Sequence, residues 1–225
     1  MKRTVEPELL DTDAGTPEEV AGSLADLRAI NRRFGGIATL RALLLRAAPT
    51  EQRELSLLDV ASGSADIPQA LQQELSARGR QLHVVAMDRS RAHLNGSAAG
   101  RPFAAITGDA LNLPFRDGSF DFVSCSLFLH HLEPGEIVRF VQEGLRVCRR
   151  AVLVSDLRRS RTHLALVYLG FPLYHSRLTR HDAPTSVRRA YTMPEVRELL
   201  ERAGVTRMEI EPHYLFRMGA IAWKP

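Results

Sequence analysis

The sequence predicts an α/β fold: a seven-stranded, mostly parallel sheet with a final antiparallel strand, preceded by an N-terminal helical cap. Three observations predict it. Short apolar runs alternate with stretches of helical period, the pattern of parallel strands joined by crossover helices. The first run ends in a turn of small residues, Ala61-Ser62-Gly63-Ser64-Ala65, and a helix follows it. Acids recur at the ends of the first three runs, at Asp59, Asp88 and Asp109.

The elements follow in order. Residues 1–15 are polar and aperiodic and read as a loose tail. Thr16-Pro17-Glu18-Glu19 starts a helix, with Thr at the N-cap, Pro at N1 and Glu at N3, and the helix runs to about residue 33. Phe34-Gly35-Gly36 breaks it, and 37–48 form a second helix. Residues 1–50 are therefore a tail and helical cap, and 51–225 are the core. Strands are expected at 55–60, 82–88, 103–107, 119–126 and 151–156, with helices at 67–77, 89–98 and 136–148 between them. An apolar, aromatic helix over 162–174 leads into a loop rich in Arg, His and Pro that ends near Tyr191, so that an insertion spans about 158–191. Thr192-Met193-Pro194-Glu195 opens a last helix, closed by Gly204, and 205–212 and 214–223 are strands close enough to pair antiparallel.

Composition narrows the class. With 225 residues, 44% hydrophobic and 25% charged, the chain has the values of one globular domain. No apolar run has the length of a membrane span and the first residues do not form a signal peptide, which implies a cytoplasmic protein. Cys125 and Cys148 fall in or beside apolar segments and read as buried free thiols. The net charge is +4, but all the basic residues except Lys2 and Lys224 are Arg, and they are spread along the chain, which argues against a nucleic-acid partner. The eight His are scattered, and His130 and His131 are adjacent rather than four apart, so no metal site is expected.

The small-residue turn lets backbone N–H groups approach a ligand closely. A dinucleotide fingerprint would need three glycines here, and only Gly63 is present. A cofactor with an adenosine and no phosphates fits better. In a doubly wound sheet the first three strand ends lie side by side, so Asp59, Asp88 and Asp109 should line one crevice.

The stretch Leu58-Asp59-Val60-Ala61-Ser62-Gly63-Ser64-Ala65 resembles motif I of the class I S-adenosylmethionine (SAM)-dependent methyltransferases, with Ala61 and Ala65 where glycines are commoner. Gly108-Asp109-Ala110, Leu113-Pro114-Phe115 and the run from Phe120 to Leu132 resemble later motifs of the same superfamily, particularly of the subgroup with the ubiquinone and menaquinone C-methylases and many small-molecule O-methyltransferases. The resemblance implies a Rossmann-like sheet and SAM as cofactor. It assigns the ammonium to Asp59, the ribose diol to Asp88 and the adenine amino group to Asp109. Ala61, Gly63, Arg89, Ala110, Ser126 and Leu127 complete the cofactor's surroundings, and Arg32 or Asn31 approaches the methionine carboxylate.

His130 and His131 are the candidate general bases, against the alternative that they only shape the turn after the fourth strand. Tyr174, His175, Arg188 and Tyr191, with Arg189, lie in the insertion that often forms the acceptor pocket of this fold; aromatic plus Arg suits a flat phenolic or acidic acceptor. The expected function is methyl transfer to a phenolic, quinone or polyketide-type small molecule, at oxygen or carbon. Two readings compete with it: an NAD-dependent reductase, and a SAM-binding protein without turnover.

Overall fold

The computed structural model describes residues 1–12, 15–95 and 103–225. Its elements are α1 (Pro17–Arg33), α2 (Gly36–Ala47), β1 (Glu54–Val60), α3 (Asp66–Ala77), β2 (Gln81–Asp88), α4 (Arg91–Asn95), β3 (Ala104–Thr107), β4 (Phe120–Ser126), α5 (Pro134–Val147), β5 (Cys148–Leu157), α6 (Arg161–Leu169), α7 (Arg177–Arg189), α8 (Met193–Arg202), β6 (Met208–His213) and β7 (Arg217–Trp223). The strands form one sheet in the order β3-β2-β1-β4-β5-β7-β6. β1 to β5 pair in parallel, and β7 enters antiparallel between β5 and β6.

The central strands are buried on both faces, which is why β5 carries the unbroken apolar run Ala151-Val152-Leu153-Val154 rather than an alternation. One face carries Ile137 and Phe140 of α5 with Val196 and Leu199 of α8. The other carries Leu40, Leu43 and Leu44 of α2 with Leu71 and Leu75 of α3. The order reverses between β1 and β4, so the carboxyl ends of those strands diverge and leave a crevice. Asp121 fixes the opposite end of that junction: its carboxylate accepts the Ser56 N–H and hydroxyl and the Arg149 guanidinium.

The local start signals are present as the sequence writes them. Thr16 and Thr192 each close a reciprocal cap with the Glu three residues on. Both cysteines are free and buried. Among the described residues no helix is long and apolar enough to cross a membrane.

Several expectations need correction. The N-terminal segment is not loose. The Asp182 carboxylate accepts the Leu9 and Leu10 amides at 2.8 and 3.0 Å, and Arg3 donates to the Arg189 and Leu132 carbonyls. The segment expected as a loop after residue 174 is largely the helix α7. Its inward positions are mostly polar (Thr179, Asp182, Thr185, Ser186), so the face it buries carries little apolar period. Ser176 caps it, accepting the Leu178 N–H. The aromatic helix before it ends at Leu169, and Phe171–Leu173 form a separate 3-10 turn. A second such turn, Tyr214–Phe216, shortens the last strand. The helix expected over 89–98 is seen as Arg91–Asn95, and its remainder lies outside the described residues.

Candidate active site

The carboxyl ends of β1, β2 and β4 open into one cavity of about 1440 Å³, roofed by α1 and α6. Its floor is the turn after β1. Ala61, Gly63 and Ala65 adopt φ of +53°, +54° and +56°. For alanine this conformation costs roughly 1 kcal/mol or more per residue, so surrounding bonds must hold it. The Ser62 N–H donates to the Met87 carbonyl at 3.0 Å, and the Gly63 N–H to Asp88 Oδ2 at 2.8 Å. A Cβ built on Gly63 would meet nothing within 4 Å, so the turn is open on the cavity side.

Three acids surround that floor. Asp59 is 2% exposed, and its oxygens accept the Ser62 and Ser124 hydroxyls at 2.6 Å each. Burial, with the nearby charges of Asp66 and Asp88, pushes its carboxyl up to about 6 despite those bonds. Burial also works against the Asp88 carboxylate, but His93 and the Ser90 and Gly63 amides hold its pKa below the usual range. Asp109 lines the rim, exposed, and accepts the Leu111 N–H at 2.9 Å. Arg89, Ala110, Ser126 and Leu127 also line the cavity. The Ser126 hydroxyl has no partner among the described residues, and Leu127 takes φ +54° as it leaves β4.

Arg32 is not in the cavity; it is exposed on the outer side of α1, and Asn31 is the buried neighbour that faces inward. Asn31 bonds to Asp66 and accepts from Arg217. Arg217, unremarked in the sequence, is a 1% exposed guanidinium at the start of β7 that lines the cavity. Its Nε donates to the Phe34 carbonyl at 2.9 Å, and its Nη1 has no partner among the described residues. Burial pulls its pKa down to about 10. The sequence signal was one charge opening the apolar run of β7.

His130 and His131 both line the cavity. His130 is 2% exposed. Its Nδ1 lies 2.7 Å from Asp156 Oδ1 at the end of β5, and its Nε2 lies 3.4 Å from Glu8 Oε1. Burial opposes charge on this ring, but the two carboxylates push its pKa up to about 10. Both ring nitrogens of His130 thus face carboxylates, Asp156 at Nδ1 and Glu8 at Nε2. His131 Nδ1 lies 2.7 Å from Asp11, and its Nε2 lies 3.8 Å from Glu8. Glu8, Asp11 and Asp156 were missed because their partners are distant in the chain. Asp156, an acid ending a strand like Asp59 and Asp88, was the one with a readable signal.

The insertion divides. Tyr174 and His175 reach the cavity, and His175 is tied to Asp26 of α1. Arg188 and Tyr191 do not. Arg188 bonds to Tyr168 on the far side of α7. Tyr191 is buried in the core, its hydroxyl donating to the Leu132 carbonyl at 2.8 Å. Arg189 lies at the cavity and donates to the carbonyls of both His130 and His131.

Comparison with known proteins places this geometry. Residues 58–154 match the methyltransferase domain family. A demethylmenaquinone methyltransferase of Desulfitobacterium hafniense is 26% identical over 128 residues, covering 55% of this chain and 50% of its own. The ubiquinone/menaquinone biosynthesis C-methyltransferase UbiE of Methylobacterium nodulans is 33% identical over 155 residues, covering 61% and 57%. The chain thus spans little more than half the length of the curated relatives it matches. Among solved structures, a SAM-dependent methyltransferase from Aquifex aeolicus superposes with a TM-score of 0.63 at 16% identity, covering 94% of this chain and all of that one. Magnesium protoporphyrin IX methyltransferase from Synechocystis, with bound SAH, gives 0.55 at 16% identity, covering 84% and 82%. At these identities the structural likeness is one of fold.

Proposed function

We propose that this chain, whose residues 58–154 match the methyltransferase domain family, is a class I SAM-dependent methyltransferase that transfers a methyl group from SAM to a small organic acceptor. The observation that carries the reading is the cavity itself: strand-end acids, an open glycine turn and a guanidinium with one spare donor among the described residues face one space. At about 1440 Å³ it exceeds the roughly 300–1,000 Å³ of an ordinary ligand pocket, room for cofactor and acceptor together.

The residues fit SAM. Asp59, with Asp66 and Asp88, makes a negative pole suited to the cationic end of the cofactor. Asp88 stands beside Gly63, where a ribose diol can be accepted. Asp109 at the rim would accept the adenine amino group. Arg217 Nη1 is the donor for the methionine carboxylate, in the place first expected of Arg32. SAM, when bound, supplies an activated methyl group on a sulfonium carbon. The protein contributes proximity, alignment and exclusion of water.

The acceptor side is apolar. Leu166 and Leu169 of α6, with Leu173, line it beside Tyr174. This wall, and the quinone substrates named for the two relatives, support an aromatic acceptor carrying a phenolic or quinol oxygen. The single glycine of the turn disfavours the reductase reading. The test is transfer of a labelled methyl from SAM to a panel of apolar phenols and quinols. Label in an acceptor is the expected result. SAM binding without transfer to any acceptor would leave a binding protein, and preferential binding of NADH would favour the reductase.

A further inference from the structure

We propose that Glu8, His130 and His131 form a binding site for one divalent first-row transition-metal ion, on the wall of the cavity. Glu8 Oε1 lies 3.4 Å from His130 Nε2, and Oε2 lies 3.8 Å from His131 Nε2. One ligand atom from each of the three residues lies within 4.8 Å of the other two. An ion with bonds of about 2.0–2.2 Å to each fits between such atoms after a small contraction.

The outer partners make this more than three polar groups in proximity. Each imidazole has its other nitrogen taken by a different carboxylate, His130 Nδ1 by Asp156 and His131 Nδ1 by Asp11, both at 2.7 Å. That arrangement fixes both Nε2 atoms toward Glu8, and it is the outer shell that histidine ligands of metal sites have. Arg189 holds the two histidine carbonyls at 3.0 and 2.8 Å. Glu8 is equally fixed: Ser186 donates to its carboxylate at 2.8 Å, and Asp182 pins the two residues that follow. Two imidazoles and one carboxylate suit zinc-type or ferrous-type ions, not calcium or magnesium, which prefer oxygen. Charge also balances. Glu8, Asp11 and Asp156 carry three negative charges, Arg189 one positive, and a divalent ion with neutral imidazoles brings the sum to zero.

All three ligands line the cavity, so the ion's open positions face the acceptor. Its role rests on the methyltransferase reading, although its binding does not. An acceptor hydroxyl on the ion would lose its proton to water, both electrons of the O–H bond staying on oxygen, without any protein base.

The test is calorimetric titration of the chelator-treated full chain with Zn²⁺ and with Co²⁺, the latter also followed by its visible spectrum. One ion per chain is expected, with a cobalt spectrum of nitrogen–oxygen ligation. Glu8→Gln and His131→Gln should each weaken binding at least 100-fold, and Asp11→Asn about 10–100-fold. His131 is partly exposed, so its variant should keep the fold, checked by circular dichroism. Absence of stoichiometric binding of either ion, or affinity unchanged in folded His131→Gln, overturns the site. SAM titrations on the same samples separate the two readings. Metal binding without SAM binding sinks the methyltransferase and keeps the site; SAM binding without metal does the reverse.

Discussion

The Gly63 amide donates to Asp88 Oδ2 at 2.8 Å, so the end of β2 holds the turn after β1 in place. The residue proposed to accept the ribose diol therefore also shapes the floor beneath it. Asp88→Asn keeps one acceptor for that amide, while Asp88→Ala removes both functions. We expect Asp88→Ala to weaken SAM binding by roughly 1.5–3 kcal/mol, and Asp88→Asn to weaken it less. Calorimetry finding the same SAM affinity in wild type and Asp88→Ala would reject the assignment.

How much of this was readable follows from how local each feature is. Motif I, the acids of β1 and β2 and the caps at Thr16 and Thr192 are written within a few residues of chain, and they lie where the sequence puts them. The helix α7 was not readable because polar side chains fill its buried face. Glu8 faces His130 only because the N-terminal segment crosses α7, a packing result with no local trace. Arg217 reads as one charge in a strand until Asn31 and Phe34 close around it.

Asp59 should make both stability and cofactor affinity depend on pH. Its folded pKa of about 6 lies above the ordinary value of 3.8. Between these values the folded state binds more protons than the unfolded one, so this group's contribution falls as pH rises through the window and stays unfavourable above it. Asp59→Asn should therefore stabilise the unliganded protein at pH 7.5 in urea denaturation, by an amount of order 1–3 kcal/mol, with the gain fading below pH 4. If the carboxylate faces the cofactor's ammonium, SAM affinity in the wild type should rise with pH near 6 and stay flat in the variant. A wild-type affinity that is flat from pH 5 to 7.5 would separate Asp59 from the ammonium.

Tyr191 is expected from the sequence at the acceptor pocket, and its buried position predicts no part in turnover. Its hydroxyl is buried, donates to the Leu132 carbonyl, and burial pushes its pKa up to about 12. Arg3 also donates to that carbonyl, so Tyr191→Phe leaves no orphaned acceptor. The variant should lose about 1 kcal/mol of stability in urea denaturation and retain its turnover. A fall in kcat of tenfold or more at unchanged fold would bring Tyr191 into the chemistry.

Arg217 provides the sharpest test of where the methionine end of the cofactor lies. Burying a guanidinium is costly unless its donors are satisfied, and here Nε and Nη2 are bonded while Nη1 is not. A carboxylate in the cavity would complete the set with a charge-assisted bond. Arg217→Gln should then weaken SAM by about 10- to 100-fold, the equivalent of roughly 1.5–3 kcal/mol. Methylthioadenosine keeps the adenosine and lacks both carboxylate and ammonium, so its affinity should not change. A structural role for Arg217, through Asn31 and the Phe34 carbonyl, predicts a different pattern: equal weakening of both ligands and a lower Tm. Equal losses for the two ligands would move the methionine carboxylate elsewhere in the cavity, with Asn31 and Arg33 as the next side chains to change.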